Sequence, residues 1–198
     1  MKVTRVLILL AVVALFTPHV TAADVKKNDI GVVVGYIAPT SDSTVQGIKT
    51  EADATVDYGI EYKHKFMDSN RLSLGVSVLF ASFDVKAAGQ KIGSIDNMPI
   101  LVDANWHFLE SRGLYVGVTA GYSTWGKVDV NGGGNIAVKD NAVYGANFGW
   151  DFGLGEHWAI LTNVRYLGQK VETDDPNVPD ESVTVNPVIA NVGFAYRF

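Results

Sequence analysis

Large apolar residues alternate with small or polar ones over stretches of about ten residues, and this limits what the chain can fold into more than anything else in it. Leu72, Leu74, Val76, Val78 and Phe80 share one face of such a stretch. Arg71, Ser73, Gly75, Ser77 and Ala81 share the other, with Leu79 the one bulky intruder. Successive side chains of a strand point to opposite faces, so a period of two marks a strand with unlike faces. The pattern recurs over residues 56–63, 101–108, 114–123, 143–152, 158–167 and 187–198, and more weakly over 30–38. The helical period of 3.6 fits none of them.

Eight such strands make a barrel whose interior is just wide enough for side chains to fill. The apolar face carries Leu, Phe, Tyr and Trp at most positions, too much bulk for that interior. The opposite face carries Ser, Asn and eight glycines (Gly35, Gly59, Gly75, Gly117, Gly121, Gly145, Gly149 and Gly193) that suit a confined lumen. The bulky face is therefore expected outside, in lipid. Tyr62, Phe66, Trp106, Phe108, Trp150, Phe152, Trp158, Tyr196 and Phe198 gather at one set of strand ends as an interfacial girdle. The same ends carry the short connections 67–70, 109–113 and 153–156, which makes them periplasmic. The longer connections, 40–53, 84–97, 126–141 and 168–182, are then extracellular loops. The expected fold is an all-β, eight-stranded, antiparallel, transmembrane up-and-down β-barrel.

The N-terminus gives the route there. Lys2 and Arg5 precede the apolar run Val6 to Phe16, and Val20-Thr21-Ala22 offers a small-residue cleavage site. This reads as a cleaved signal peptide over residues 1–22, with the barrel domain over 23–198. The apolar run stops at Pro18 and His19, short of the roughly 20 residues a helical anchor needs. The location expected is the cell outer membrane of a Gram-negative bacterium. With 16 basic against 21 acidic residues the chain has no basic patch for nucleic acid. The absence of cysteine excludes a disulfide scaffold and a thiolate metal site.

The inward residues, sorted by height, suggest a mechanism. Toward the periplasm they are Glu61, Lys63, Arg71, Asn105, His107, Asp151 and Arg197, with Arg165 further up, and such charges in a narrow tube should pair into a polar plug. Toward the outside they are Leu79, Ala81, Leu101, Val143, Leu167 and Ile189, a channel-lining apolar funnel. Apolar cargo meeting a polar floor is expected to leave sideways. Pro99 and Pro187, which cannot donate to a ladder, mark candidate lateral openings; equally, both could simply end their strands.

No catalytic site is expected, because His64, His107 and His157 all fall at periplasmic strand ends, away from the outer leaflet. Glu172, Asp174, Asp175, Asp180 and Glu181 match no calcium-loop spacing and read as a solvated loop. No cofactor or metal is expected.

Several stretches, taken in order, resemble the OmpW family of outer-membrane proteins over nearly the whole mature chain. They are Val32 to Pro39, Met98-Pro99, Asn105-Trp106-His107-Phe108, Leu114-Tyr115-Val116-Gly117-Val118 with Gly121-Tyr122, Trp158, Val164-Arg165-Tyr166-Leu167, and Val185-Asn186-Pro187 with Gly193, Tyr196, Arg197 and Phe198. The resemblance implies a narrow, largely hydrophobic channel with a lateral exit for small apolar solutes. The chain departs from it in having Met98-Pro99 where the family often has two prolines. Arg165 also places a charge in that channel. The aromatic ending at Tyr196 and Phe198 resembles the signal read by the outer-membrane assembly machinery. The function expected is passive uptake of small hydrophobic molecules. The alternative is a structural or adhesive barrel acting through its loops. The partners expected are small apolar solutes, outer-membrane lipid and lipopolysaccharide, and the assembly machinery.

Overall fold

The computed structural model describes residues 26–198 apart from 41–42, 46–47, 67–70, 110–112, 131–134 and 173–181. The expected signal peptide, residues 1–22, lies outside the described residues. The strands in chain order are β1 (Asn28–Pro39), β2 (Ser43–Val45), β3 (Ile48–Ala52), β4 (Thr55–Phe66), β5 (Leu72–Ala87), β6 (Gln90–Leu109), β7 (Leu114–Trp125), β8 (Lys127–Val130), β9 (Asn135–Ala137), β10 (Asn141–Gly153), β11 (Trp158–Glu172), β12 (Ser182–Val185) and β13 (Pro187–Arg197).

Eight of these form a ring of antiparallel pairs, β1–β4–β5–β6–β7–β10–β11–β13. β13 returns to β1 from Asp29–Arg197 to Pro39–Pro187 and closes it. In a bilayer the backbone must satisfy its own hydrogen bonds, and a closed sheet does so without presenting an edge. At the periplasmic end the Asn28 N–H donates to the Phe198 carbonyl at 3.2 Å and the Phe198 N–H donates to the Asn28 carbonyl at 2.9 Å. The first and last described strands are thus tied at their ends.

The inside-out reading is what the burial shows. Val32, Tyr58 and Val118 on the outer wall are 63–64% exposed, while Leu79, Leu101 and Arg165 in the lumen are fully buried. The periplasmic girdle is present in Phe66, Trp106, Phe108, Trp150, Phe152, Trp158 and Tyr196, all exposed outward. Trp158 stacks on Phe194 at 4.9 Å between ring centroids. Tyr62 departs from it: the side chain is buried and its hydroxyl donates to Asn28 Oδ1 at 2.7 Å. A second belt, of Tyr36, Tyr58, Tyr122, Tyr144 and Tyr166, faces outward toward the extracellular ends and frames the apolar band from above.

The extracellular connections are more ordered than expected. Residues 84–97 are not a loop: β5 and β6 continue as one hairpin that turns at Ala88-Gly89, with φ of 50° and 79°. Two central residues at positive φ are the type I′ geometry that matches strand twist. The usual Asn-Gly or Asp-Gly signal is absent, and the charged residues beside the turn read as loop. They are instead cross-strand partners, Lys91 with Asp84 at 2.6 Å and Lys86 with Asp53 at 2.7 Å. β3 pairs with β5, β8 with both β6 and β9, and β12 with β11, so the other three long connections also extend the sheet outward.

Deleting Phe198 removes both backbone bonds that tie β1 to the chain end. The expected outcome is a lower yield of folded barrel in the outer membrane, measured as the fraction showing a heat-dependent shift in gel mobility.

Candidate functional site

Inward positions alternate along each strand, so every second residue of eight strands converges on one axis. Midway along that axis lies an ionic network. Arg165 on β11 donates to Asp103 on β6 through Nη2 at 2.7 Å and Nε at 3.4 Å, and to Glu61 on β4 through Nη2 at 3.1 Å. The fork of the guanidinium suits this two-point grip on Asp103. Lys63, two residues along β4 from Glu61, lies 3.6 Å from it and holds both oxygens of Asp151 at 2.8 and 2.9 Å. Its ammonium also stands 4.3 Å from the centre of the Tyr115 ring. Arg165, Tyr115 and Lys63 are the bulkiest of the fully buried side chains, so the lumen at this height is filled.

Neutral polar groups complete the layer. Thr119 and Asn147 donate to Asp103 Oδ1 at 2.5 and 3.1 Å. Asn163 donates to the Tyr115 hydroxyl at 3.0 Å. Asn191 bridges upward, accepting from Arg165 and donating to Asp57 at 2.6 Å. Charges this deep are tolerable only when paired and hydrogen-bonded. Below, His107 shares a 3.0 Å hydrogen bond with Ser73, to which Asn105 also donates at 3.4 Å. Arg197 and Lys65 each reach Asp29 at 3.0 Å, a separate cluster at the periplasmic mouth. That end is not wholly polar, since Ala159, Leu161 and Ala195 form a small apolar cluster there.

Among the residues expected in the plug, Arg71 is not inside. It is exposed just before β5, and its carbonyl accepts the His107 N–H at 2.7 Å. The alternation extends to Arg71, but the strand starts at Leu72, so the side chain lies at the mouth rather than on the inward face. Asp103, Tyr115 and Asp57 are central members not singled out from sequence, although their inward phase was legible. What no strand pattern shows is that β4, β6 and β11 bring Glu61, Asp103 and Arg165 to one height.

Above the network the interior is mostly apolar, with Asn97, which donates to Ser123 at 2.7 Å, and Gln169 as buried polar exceptions. Leu79, Ala81, Leu101, Val143, Leu167 and Ile189 belong to one buried cluster with Val33, Ile37, Phe83 and Ile95. Over it lies a chamber of about 180 Å³ walled by Ile37, Phe83, Ile95, Val143, Leu167 and Ile189. Leu79, Ala81 and Leu101, expected along the channel, do not line it. They fill the narrow cross-section and form its base, with Leu79 and Leu101 having no exposure at all. Pro99 and Pro187 both line the chamber.

The inward glycines do not enlarge this space. A side chain at Gly149 would strike the Tyr115 ring, and one at Gly117 would strike Asn105. Their missing atoms admit neighbouring side chains, which is relief of crowding in a small barrel.

A closed ring of eight inside-out strands with two aromatic belts is the architecture of an outer-membrane protein, and the outer membrane protein beta-barrel domain model matches residues 7–198. The chain belongs to that family. Among solved structures this outer-membrane barrel is similar to OprG from Pseudomonas aeruginosa, at 19% identity and a TM-score of 0.66, covering 87% of this chain and 97% of that one. It is similar to AlkL, at 17% identity and a TM-score of 0.61, covering 92% and 95%. Outer Membrane Protein W of E. coli gives 19% identity and a TM-score of 0.59, covering 89% and 100%. These are OmpW-type barrels, in line with the resemblance read from the sequence. No curated protein sequence matches the chain.

The barrel wall is uneven beside the chamber. The β5–β6 register runs from Leu72–Trp106 to Val78–Ile100 and resumes only at Ala81–Asn97, omitting Leu79 and Phe80 opposite Pro99 and Met98. Pro99 has no N–H to donate there. At the other seam Pro39 faces Pro187 as the last β1–β13 pair, and the Thr40 N–H donates to the Asn186 carbonyl beyond it at 3.2 Å. Pro187 opens β13 and Pro39 ends β1, as strand-terminating prolines do, whereas Pro99 lies inside β6.

Replacing Arg165 by Met leaves Asp103 a buried carboxylate without a cation and leaves Glu61 only the Lys63 ammonium at 3.6 Å. The expected loss is about 3–5 kcal/mol of barrel stability, read from urea unfolding in detergent micelles. Adding Asp103→Asn to Arg165→Met should recover part of it.

Proposed function

We propose that this outer-membrane barrel is a channel for passive uptake of small hydrophobic molecules. The observation that carries the reading is an apolar chamber, at the extracellular end, resting on an apolar base and then on a packed ionic layer. An apolar cavity of about 150 Å³ accepts one benzene-sized molecule, and the chamber, at about 180 Å³, is slightly larger. A solute that fits gains by leaving water for apolar walls. It gains nothing by going straight on, because the next layer is charged and filled.

The exit is then sideways, through the wall between β5 and β6. Three features support that wall over the β1–β13 seam: the interrupted ladder, the proline inside β6, and the position of Pro99 on the chamber wall. A solute leaving there passes between strands into lipid. The reading assigns the chain no catalytic step and no cofactor. The assembly machinery enters it as the partner that recognises Tyr196 and Phe198, and outer-leaflet lipid as the medium that receives the solute.

Two experiments test this. Val143→Phe narrows the chamber, and uptake of an apolar dye into proteoliposomes should fall several-fold while the heat-dependent gel shift stays intact. The chain has no cysteine, so Phe80→Cys with Met98→Cys can lock the wall. Uptake should fall on oxidation and return on reduction, while Pro187→Val leaves it unchanged. Equal uptake in the oxidised and reduced forms removes the β5–β6 exit. Absence of flux in the wild type, with partner binding lost when the loops are trimmed, favours the adhesive alternative.

A further inference from the structure

We propose that the outer wall over β10, β11 and β12 holds the phosphorylated sugar headgroup of an outer-leaflet glycolipid. The site is separate from the lumen. A groove of about 430 Å³ lies at the extracellular ends of these strands, on their outward face. Ala142 and Gly168 give it a low floor, since neither carries a bulky side chain. Beside them stands Tyr144, 71% exposed, with its ring about 3.5 Å from where a Gly168 side chain would begin. One aromatic face therefore lies open in the groove, at the level of the upper tyrosine belt. A ring at that height suits the apolar face of a sugar.

The polar wall is arranged to leave one cation for a ligand. Lys139, Asp140, Lys170 and Glu172 all border the groove. Asp140 accepts the Trp125 N–H at 2.8 Å, and Glu172 lies 3.6 Å from Lys139. Lys170 is exposed and has no ion pair among the described residues. Its ammonium is available to a phosphate, and Thr184, its register partner on β12, and Asn141 place hydroxyl and amide groups around the same space.

Below the groove the outer wall is low at one level: Ala146 on β10 and Val118 beside it on β7 are exposed, small or branched residues, with Tyr144 above Ala146 and Tyr166 opposite it on β11. An aromatic face and an exposed lysine at headgroup height, above a small aliphatic patch, match a molecule that is sugar, phosphate and acyl chain in that order. A free saccharide would leave the lower wall unused, and a simple phospholipid would leave the ring unused.

Native mass spectrometry of the full chain in detergent, titrated with purified lipid A, tests the proposal. Wild type should retain lipid A. Lys170→Gln should weaken it about fivefold, the worth of one lysine at an anionic membrane surface. Tyr144→Leu, which keeps the apolar anchor but loses the ring, should weaken it as well. Both residues lie on the outer surface, and an unchanged heat-dependent gel shift confirms folding. Phosphatidylglycerol should compete poorly. Unchanged binding in both variants overturns the proposal, as does phosphatidylglycerol competing as well as lipid A. Full displacement by millimolar inorganic phosphate overturns it in favour of a plain phosphate site. None of these readouts depends on transport through the lumen.

Discussion

Every other feature follows from closure of the β1–β13 seam. With that pair formed, each strand has two neighbours and the wall can satisfy its backbone within lipid. Closing on eight strands also fixes the bore, and the bore decides which face points inward. Tyr115 has room only because Gly149 gives way, and Asn105 only because Gly117 does. The bulky side chains must face out, where the solvent is hydrocarbon and their exposure costs nothing.

A filled bore then has to be partitioned. Mid-height is held by Arg165, which joins Glu61 and Asp103, and by Lys63, which joins Glu61 to Asp151. Such a layer is rigid because each charge left alone would be expensive. It gives the barrel a fixed floor, so the chamber above keeps its shape. The β5–β6 ladder is interrupted opposite Pro99, which also lines the chamber. The ionic network thus lies below and the interrupted stretch of ladder above it.

Much of this was legible because a strand's side-chain period is two and every inward residue declares its phase. The apolar cluster containing Leu79, Leu101, Val143, Leu167 and Ile189 was readable in that way, as were Glu61, Lys63 and Asp151. Arg71 was misread because alternation does not say where a strand begins. Residues 84–97 were misread because Ala88-Gly89 makes its turn without the usual residues, and because paired charges look like a loop until the partner strand is known. Asp103 shares the phase of its strand neighbours and nothing local distinguishes it from them.

The sequence by itself determined the class of structure and its orientation: strands from the period, membrane from the bulk on one face, and the periplasmic end from short connections and girdle aromatics. It could do so because those properties are local or additive along the chain. Only the tertiary structure decided which charges meet, where the lumen is closed, and which proline lies inside a strand rather than at its end. Those depend on register between strands distant in sequence, and on the shear with which the ring closes, neither of which any single strand encodes.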